Sequence, residues 1–223
     1  MMKCQKVSLF PLLLVCCLFS FLPAVAQDRW DQEISAFEQQ DRANPPAKGG
    51  ILFTGSSSIR MWKDLPTSDS RLAMLNRGFG GSQIEDITRN FDRLIPSYAP
   101  KQIVIYSGDN DINSGKTAQQ VTRDFQDLFT RIRAELPQAH VAFISIKPSL
   151  ARWEKREEIM RANQMIRQFL QGNKRTAYVD VWDKMLGPDG TPNPAYYLAD
   201  GLHMTPEGYA VWNEALRKHL RKR

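Results

Sequence analysis

The chain has 223 residues, a formal net charge of +6 and three cysteines. Residues 1–26 combine two lysines, an apolar run and an Ala-Val-Ala ending, which together predict a secretory signal peptide that is cleaved after Ala26. Because this segment holds all three cysteines, the domain at 27–223 has none, which excludes disulfides, thiolate nucleophiles and cysteine metal sites. Its 197 residues suffice for one domain with a sizeable core. No later stretch is apolar enough to span a membrane, so we expect an exported domain, periplasmic or secreted.

The positive charge is concentrated at the C-terminal end. Removal of the signal lowers the net charge from +6 to +4, because Lys3 and Lys6 are lost with it. Five of the last seven residues, 217–223, are lysine or arginine, so residues 27–216 together carry a charge of −1. Cations at the end of a helix complement its dipole, and we interpret this tail as solvated, with weak contact to an anionic membrane surface as the alternative. The tail lacks aromatic residues that stack on bases, so no nucleic-acid partner is expected.

Helical and strand-like segments alternate along the predicted domain. Apolar residues recur at helical spacing over residues 30–42 and predict a first amphipathic helix. Five short apolar runs are strand candidates, at 51–54, 72–75, 102–106, 140–146 and 176–181. Further helices are predicted near 84–95, 117–135, 152–171 and 206–220. Continuous apolar runs are typical of strands buried on both faces, and strands separated by helices form parallel sheets. The pattern predicts an α/β fold, a three-layer α/β/α sandwich around a mainly parallel sheet of about five strands.

Small and polar residues gather in four loops of this predicted fold. These loops are 55–58 (Gly-Ser-Ser-Ser), 76–81 (Asn-Arg-Gly-Phe-Gly-Gly), 107–111 (Ser-Gly-Asp-Asn-Asp) and 200–203 (Asp-Gly-Leu-His). The first three follow strand candidates, and the fourth precedes the last helix. Ligands bind beyond the carboxyl ends of the strands in open parallel sheets, so we expect the functional site where these loops converge.

A serine nucleophile needs a neutral imidazole to accept its proton, and the predicted domain contains three histidines. His140 opens a strand and His219 lies in the basic tail, which leaves His203 as the best placed of the three. Asp200 precedes His203 by three residues, a spacing at which its carboxylate can reach the Nδ1 of that histidine. An ordinary capping loop with a surface histidine is the alternative interpretation.

Ser56, Ser57 and Ser58 are the candidate nucleophiles, because a helix start after a strand exposes both a side chain and free backbone N–H groups. Acyl transfer also needs donors for an oxyanion, which the backbone of Gly80-Gly81 and the side-chain amide of Asn110 can supply. Serine clusters, glycines and asparagine also form ordinary turns. Their order on successive strand ends favours a catalytic site.

Four sequence blocks across the predicted domain resemble those of the SGNH, or GDSL-type, serine hydrolase family. Residues 51–62 resemble block I, with Gly-Ser-Ser where the family usually has Gly-Asp-Ser, and residues 76–81 resemble block II. Residues 108–111 (Gly-Asp-Asn-Asp) match block III, and residues 200–203 match block V. Each block is a weak motif alone, but their order and spacing over one α/β domain are specific.

The resemblance implies a flavodoxin-like SGNH hydrolase fold and a Ser-His-Asp triad. Ser57 falls on the position of the nucleophile, with Ser56 and Ser58 as less favoured alternatives. His203 falls on the position of the base, and Asp200 on that of the carboxylate that orients it.

The resemblance also implies an oxyanion hole and a reaction. The backbone N–H groups of Ser57 and Gly81 and the side chain of Asn110 would bind the oxyanion, and no cofactor or metal is implied. The expected function is that of an exported serine esterase. Its expected small-molecule substrate is a carboxylic ester with a short acyl chain, a lysophospholipid or an acetylated saccharide.

Other interpretations of the same residues differ in reaction or in class. An acyltransferase would use the same triad with a sugar hydroxyl in place of water, and a non-catalytic binding module could share the fold. Gly115-Lys116-Thr117 resembles the end of a phosphate-binding loop but lacks its first glycine. Asp109-x-Asp111 resembles a calcium loop, but the glycine and glutamate that such a loop requires are absent from their positions.

Overall fold

The computed structural model describes residues 29–65 and 73–221. The predicted signal at 1–26, residue 72 of the second predicted strand and the last two residues of the basic tail lie outside these ranges. No helix within the described ranges is long and apolar enough to cross a membrane.

Five strands of the described chain form one parallel sheet. They are β1 (Ile51–Gly55), β2 (Met74–Gly78), β3 (Gln102–Tyr106), β4 (His140–Ile144) and β5 (Thr176–Val179). Their spatial order is β2-β1-β3-β4-β5, and every neighbouring pair is parallel. This is the flavodoxin-like order, in which ligands bind at the switch point between β1 and β3. The predicted α/β fold is confirmed.

Helices cover both faces of this sheet. They are α1 (Asp31–Ala43), α2 (Ser57–Arg60), α3 (Ile84–Arg89), α4 (Phe91–Leu94), α5 (Asp109–Asn113), α6 (Ala118–Glu135), α7 (Arg156–Gln171) and α8 (Pro206–Arg217). Short 3-10 helices lie at Pro96–Tyr98, Leu150–Lys155, Asp183–Met185 and Pro194–Tyr196. Within β3, Ile103 and Ile105 pack against the face covered by α1, α3, α4, α6 and α7, whereas Val104 and Tyr106 pack against the face covered by α2 and α8. The strands are therefore buried on both faces, which explains their continuous apolar runs.

The second strand ends further along the chain than predicted. The apolar run at 72–75 predicts a strand there, whereas β2 extends through the polar residues Asn76 and Arg77. The guanidinium of Arg77 forms an ion pair with Asp41 and donates a hydrogen bond to the hydroxyl of Tyr98 at 2.9 Å. A polar side chain can be buried when partners satisfy its hydrogen bonds. Hydropathy alone therefore misplaces the end of this edge strand.

Two predicted helices are interrupted. The segment 84–95 divides into α3 and α4 at Asn90, whose side-chain amide and backbone N–H both donate to the carbonyl of Asp86 at 3.1 Å. The segment 152–171 starts as a 3-10 helix, in which Arg152 has a non-helical conformation with φ −131° and ψ 21°. The other predicted elements agree with the structure to within three residues at each end.

The basic tail begins in contact with the sheet. The side chain of Gln102, at the start of β3, donates to the carbonyl of His219 at 2.9 Å and accepts from the backbone N–H of Arg221 at 2.8 Å. Because Gln102 is the first residue of β3, this contact lies at the amino-terminal ends of the strands, opposite to the end where the four loops lie. The cations of the tail do follow a helix, since α8 ends at Arg217.

β1 and β3 approach each other closely at the end of β1. Gly55 has a φ of +141°, and a Cβ at this position would lie 1.9 Å from the carbonyl oxygen of Tyr106. The backbone N–H of Ser56 donates to the same carbonyl at 3.1 Å. Only glycine satisfies both the backbone conformation and the close approach, so Gly55 determines how the chain leaves β1.

We expect Gly55→Ala to destabilise the protein by at least about 2 kcal/mol more than Gly115→Ala, because the added methyl group would collide with the backbone of β3. Gly115 is the matched control, since its φ is +99° and a Cβ there would meet nothing within 4 Å. Urea unfolding followed by circular dichroism measures both free energies of unfolding. Equal destabilisation of the two variants would show that backbone conformation alone determines the effect at Gly55.

Candidate active site

Ser57 is the first residue of α2, the short helix that follows β1. Ser56 precedes the helix in an extended conformation, and its buried hydroxyl has no hydrogen-bond partner among the described residues. The hydroxyl of Ser58 is also buried and accepts a hydrogen bond from Lys147 at 3.3 Å. Ser57 is half-buried, and among these three serines it is the one whose hydroxyl contacts His203.

Ser57, His203 and Asp200 form one chain of hydrogen bonds. The Oγ of Ser57 lies 3.0 Å from Nε2 of His203, and the Nδ1 of His203 lies 2.5 Å from Oδ2 of Asp200. The other carboxylate oxygen of Asp200 accepts the backbone N–H groups of Leu202 and His203, both at 2.9 Å. With a proton on Nδ1, the Nε2 of a neutral His203 can accept the hydroxyl proton of Ser57. The fold thus brings the three sequence-predicted residues together with the geometry of a nucleophile and its base.

Asp200 is a negatively charged group, and 48% of its side chain is exposed. Burial raises the pKa of Asp200, but hydrogen bonds from the ring of His203 and from the backbone N–H groups of Leu202 and His203 outweigh this and lower the pKa to about 2. The carboxylate is therefore charged over the whole neutral range. It can hold the ring of His203 in one tautomer and stabilise an imidazolium there.

The candidate oxyanion donors lie at the carboxyl ends of three neighbouring strands, β2, β1 and β3. The N–H of Ser57 has no acceptor within its own helix, because it is at the first helical position. Gly81 follows β2 with a φ of +72°, and Asn110 lies in α5 after β3. The side-chain amide of Asn110 donates to the carbonyl of Ser82 at 3.0 Å, which places Asn110 beside the loop that contains Gly81.

The loop that follows β2 is tied to the end of β1. The backbone N–H of Phe79 and the hydroxyl of Ser82 both donate to the carbonyl of Gly55, at 2.9 and 3.2 Å. The position of Gly81 relative to Ser57 is therefore determined by hydrogen bonds to Gly55, the last residue of the strand that precedes Ser57.

Helix α1 and Trp30, the residue that precedes it, also bind this loop. The indole N–H of Trp30 donates to the carbonyl of Gly80 at 2.7 Å, and the carboxylate of Glu33 accepts the N–H of Gly80 at 3.2 Å. Arg60 of α2 pairs with Glu33 at 3.4 Å. The amphipathic pattern of α1 does not predict this contact, because such a pattern indicates which face of a helix is buried and not which loop that face contacts.

A cluster of buried charges, which the sequence patterns do not predict, contacts Asn110. The carboxylate of Asp109 lies 3.4 Å from Nζ of Lys147 and 3.3 Å from Nη1 of Arg152, and it accepts a hydrogen bond from the hydroxyl of Tyr106 at 3.2 Å. Nη2 of Arg152 donates to Oδ1 of Asn110 at 2.9 Å. Arg152 therefore links the buried ion pairs to Asn110, the candidate oxyanion donor.

The charge state of this cluster follows from its burial and its pairing. Burial raises the pKa of Asp109, but Lys147 and Arg152 outweigh this, and its pKa is lowered overall. Burial lowers the pKa of Lys147, and the charge of Asp109 opposes that change. Asp109 is thus a buried carboxylate held by two cations. One feature of the sequence indicates part of this cluster: Lys147 directly follows the apolar run 140–146, at the end of a predicted strand. No comparable feature of the sequence indicates that Arg152 belongs to it.

The residues of the incomplete phosphate-binding motif have structural contacts. Lys116 pairs with Asp124 at 2.7 Å and lies 3.5 Å from Asp111. Thr117 is the N-cap of α6, and its hydroxyl accepts the backbone N–H of Gln120 at 3.3 Å. The Lys-Thr pair is therefore part of a helix start.

Comparison with known proteins identifies similar sequences and folds. The model of the family described as GDSL-like Lipase/Acylhydrolase matches residues 54–211. Platelet-activating factor acetylhydrolase IB subunit alpha1 from Pongo abelii is 28% identical over 178 residues, which cover 76% of this chain and 74% of that protein. A solved structure described as a candidate platelet activating factor from Streptococcus pneumonia has a TM-score of 0.76 at 21% identity, and the match covers 85% of this chain and 92% of that chain. For a GDSL-like lipase from Bacteroides thetaiotaomicron the TM-score is 0.70 at 19% identity, with coverages of 83% and 96%.

Asp111 connects α5 with the helix that follows the Gly81 loop. Its buried carboxylate accepts the backbone N–H of Ile84, the first residue of α3, at 3.2 Å, and lies 3.5 Å from Nζ of Lys116. Burial raises the pKa of Asp111 to about 6, although Lys116 and the N–H of Ile84 favour the charged form. The ionised carboxylate is therefore less stable in the folded protein than in the unfolded chain.

We expect Asp111→Asn to gain stability relative to the wild type as the pH rises from about 4 to about 7. The folded-state pKa of about 6 lies above the ordinary value of 3.8, so the folded wild type loses stability as Asp111 ionises between these values. The amide does not titrate and can still accept the N–H of Ile84. Urea unfolding at several pH values should show the difference in unfolding free energy change by about 2–3 kcal/mol. A difference that is constant with pH would contradict the raised pKa.

Proposed function

Because the chain belongs to the GDSL-like lipase/acylhydrolase family and is a carboxylic ester hydrolase, we propose that it cleaves its substrate through an acyl-enzyme on Ser57. The observation that carries this proposal is the continuous hydrogen-bond chain from Ser57 through His203 to Asp200. Each of these two contacts pairs a donor with an acceptor, as the transfer of a proton from Ser57 to His203 requires.

The reaction proceeds in two steps. In the first, the Oγ of Ser57 attacks the acyl carbon while Nε2 of His203 takes the hydroxyl proton, and Asp200 stabilises the imidazolium. His203 then gives this proton to the leaving alcohol oxygen, the ester C–O bond breaks, and the acyl group remains on Ser57. In the second step, water gives a proton to His203 and attacks the acyl carbon. The proton returns to Oγ of Ser57 as the carboxylic acid leaves.

The tetrahedral intermediate of each step carries a negative oxygen. We assign its binding to the backbone N–H groups of Ser57 and Gly81 and to the side-chain amide of Asn110. The N–H of Ser57, which has no acceptor within its own helix, and the positive φ of Gly81 support this assignment. Donors that are already oriented cost no reorganisation when the charge develops, which is why such sites accelerate the reaction.

We propose a short acyl group as the part of the substrate that enters the site, carried on a lysophospholipid-type alcohol or on a saccharide. The name of the relative from Pongo abelii, an acetylhydrolase, supports an acetyl ester as the first candidate. We also propose that the protein is exported and that the signal is cleaved after Ala26. The two lysines, the apolar run and the Ala-Val-Ala ending of residues 1–26 support export.

Ser57→Ala should reduce the kcat for p-nitrophenyl acetate by about 10⁴-fold or more, because the acyl-enzyme cannot form. Ser56→Ala is the matched control: it removes a neighbouring buried hydroxyl that has no described hydrogen-bond partner, and we expect it to retain wild-type activity. Both variants are compared with the wild type on p-nitrophenyl esters from acetate to palmitate, after circular dichroism has shown that they fold. A kcat that falls with increasing chain length would support the short-acyl substrate.

Three other outcomes would each contradict part of this proposal. Full activity in Ser57→Ala would mean that another residue is the nucleophile, and Ser58→Ala would then be tested. A folded wild type that is inert on every ester would contradict hydrolysis of simple esters. If product formed only in the presence of an added sugar or alcohol and contained the acyl group, the protein would be an acyltransferase.

Asn110→Ala should lower kcat by about 10²–10³-fold with little change in KM, because an oxyanion donor acts in the transition state and not on the bound ester. Steady-state kinetics on p-nitrophenyl acetate separates the two constants. An effect on KM alone would show that Asn110 binds the ground state of the substrate instead.

A further inference from the structure

The side-chain amide of Asn110 has three hydrogen-bonding groups, of which two are used inside the protein. Its Oδ1 accepts Nη2 of Arg152 at 2.9 Å, and its Nδ2 donates to the carbonyl of Ser82 at 3.0 Å. An amide nitrogen carries two N–H groups, so one N–H of Asn110 remains to bind a ligand. Asn110 is the candidate oxyanion donor described above, and the orientation of this remaining N–H determines whether it can act as one.

Arg152 determines which way this amide faces. If the amide were rotated by 180°, its NH₂ group would meet the guanidinium of Arg152 and its oxygen would meet the carbonyl of Ser82. Both contacts would then be repulsive, a donor against a donor and an acceptor against an acceptor. We propose that Arg152 is a positioning residue that sets the side chain of Asn110 as the oxyanion donor and strengthens it. This proposal rests on the proposed function of the site.

The charge of Arg152 adds to the effect of its orientation. A guanidinium is always protonated, and a hydrogen bond from it to Oδ1 draws electron density away from the amide nitrogen of Asn110. The N–H that faces the site consequently becomes a better donor. Such polarisation is larger in a buried environment, and Arg152 has only 10% of its side chain exposed.

Arg152 is itself held on two sides. Its Nη1 forms an ion pair with Asp109 at 3.3 Å, and Asp109 is also bound by Lys147 and by the hydroxyl of Tyr106. Its backbone lies in the 3-10 segment Leu150–Lys155, where its non-helical φ and ψ interrupt the regular helix. The irregular backbone and the buried ion pair together point one side chain at Asn110.

A double-mutant cycle tests whether Arg152 acts through Asn110. The variants are Arg152→Met, Asn110→Ala and the double variant, assayed for kcat and KM on p-nitrophenyl acetate. We expect Arg152→Met to lower kcat by about 10- to 100-fold, less than the 10²–10³-fold loss expected for the donor itself, with KM changed by less than about threefold. The double variant should be no worse than Asn110→Ala alone, because Arg152 has nothing to position once the amide is removed.

Arg156→Met is the matched control. Arg156 lies four residues further along, is 42% exposed, and contacts Trp153 and Glu157 but not Asn110. We expect it to retain wild-type kcat. If the losses in Arg152→Met and Asn110→Ala multiply in the double variant, Arg152 does not act through Asn110 and the proposal is wrong.

Arg152→Lys provides a second variant if Arg152→Met does not fold. Lysine keeps a cation beside Asp109, but a single ammonium cannot reproduce the two-pronged contact of the guanidinium with Asp109 and Asn110. We expect a smaller loss of kcat that again disappears in the Asn110→Ala background. A loss that persists in that background would overturn the proposal.

A spectroscopic measurement decides the proposal without any catalytic activity. In ¹⁵N-labelled protein, the side-chain amide signals of Asn110 are identified by their absence from the spectrum of Asn110→Ala. We expect these signals to shift towards those of a free amide in Arg152→Met and to stay unchanged in Arg156→Met. If they are unchanged in Arg152→Met, Arg152 does not orient the amide. A wild type without ester hydrolysis would contradict the proposed function, and this spectroscopic result would still decide the role of Arg152.

Discussion

The close approach of β1 to β3 at Gly55 and Tyr106 is the constraint on which the site depends. A side chain at position 55 would collide with the carbonyl of Tyr106, so the chain can turn into α2 at this point only because residue 55 is glycine. The carbonyl of Gly55 then accepts hydrogen bonds from Phe79 and Ser82, which bring the loop after β2 to the same place. One strand end thereby positions the serine and one of its proposed oxyanion donors.

The charged groups of the site are stabilised in two different ways. Asp200 is half exposed, and its low pKa comes from three hydrogen bonds around one carboxylate and not from burial. Asp109, Lys147 and Arg152 are buried, and their charges are compatible with the interior only because they are paired with one another. In the proposed reaction, the exposed pair of Asp200 and His203 takes part in the proton transfer, whereas the buried cluster contacts Asn110 through Arg152.

The fold was largely predictable because strands buried on both faces leave a strong signal. The apolar runs of β1, β3, β4 and β5 predicted these strands to within two residues at each end. The predicted position of β2 is wrong because Arg77 is buried through its contacts with Asp41 and Tyr98, which are distant in sequence. Hydropathy patterns identify buried apolar residues. They do not identify buried polar residues whose hydrogen-bond partners lie elsewhere in the chain.

The sequence by itself determined the fold class, the family and the four loops in which Ser57, Gly81, Asn110, Asp200 and His203 lie. Glycines, a serine cluster and an Asp-x-x-His pair are local patterns, and their order along an α/β chain places them at one edge of a parallel sheet. Only the tertiary structure decided which serine contacts the histidine and which way the amide of Asn110 faces. Both depend on contacts between segments far apart in the chain, 146 positions for Ser57 and His203 and 42 for Asn110 and Arg152. A local pattern cannot encode such a contact, because it is formed only when the strands and helices have packed.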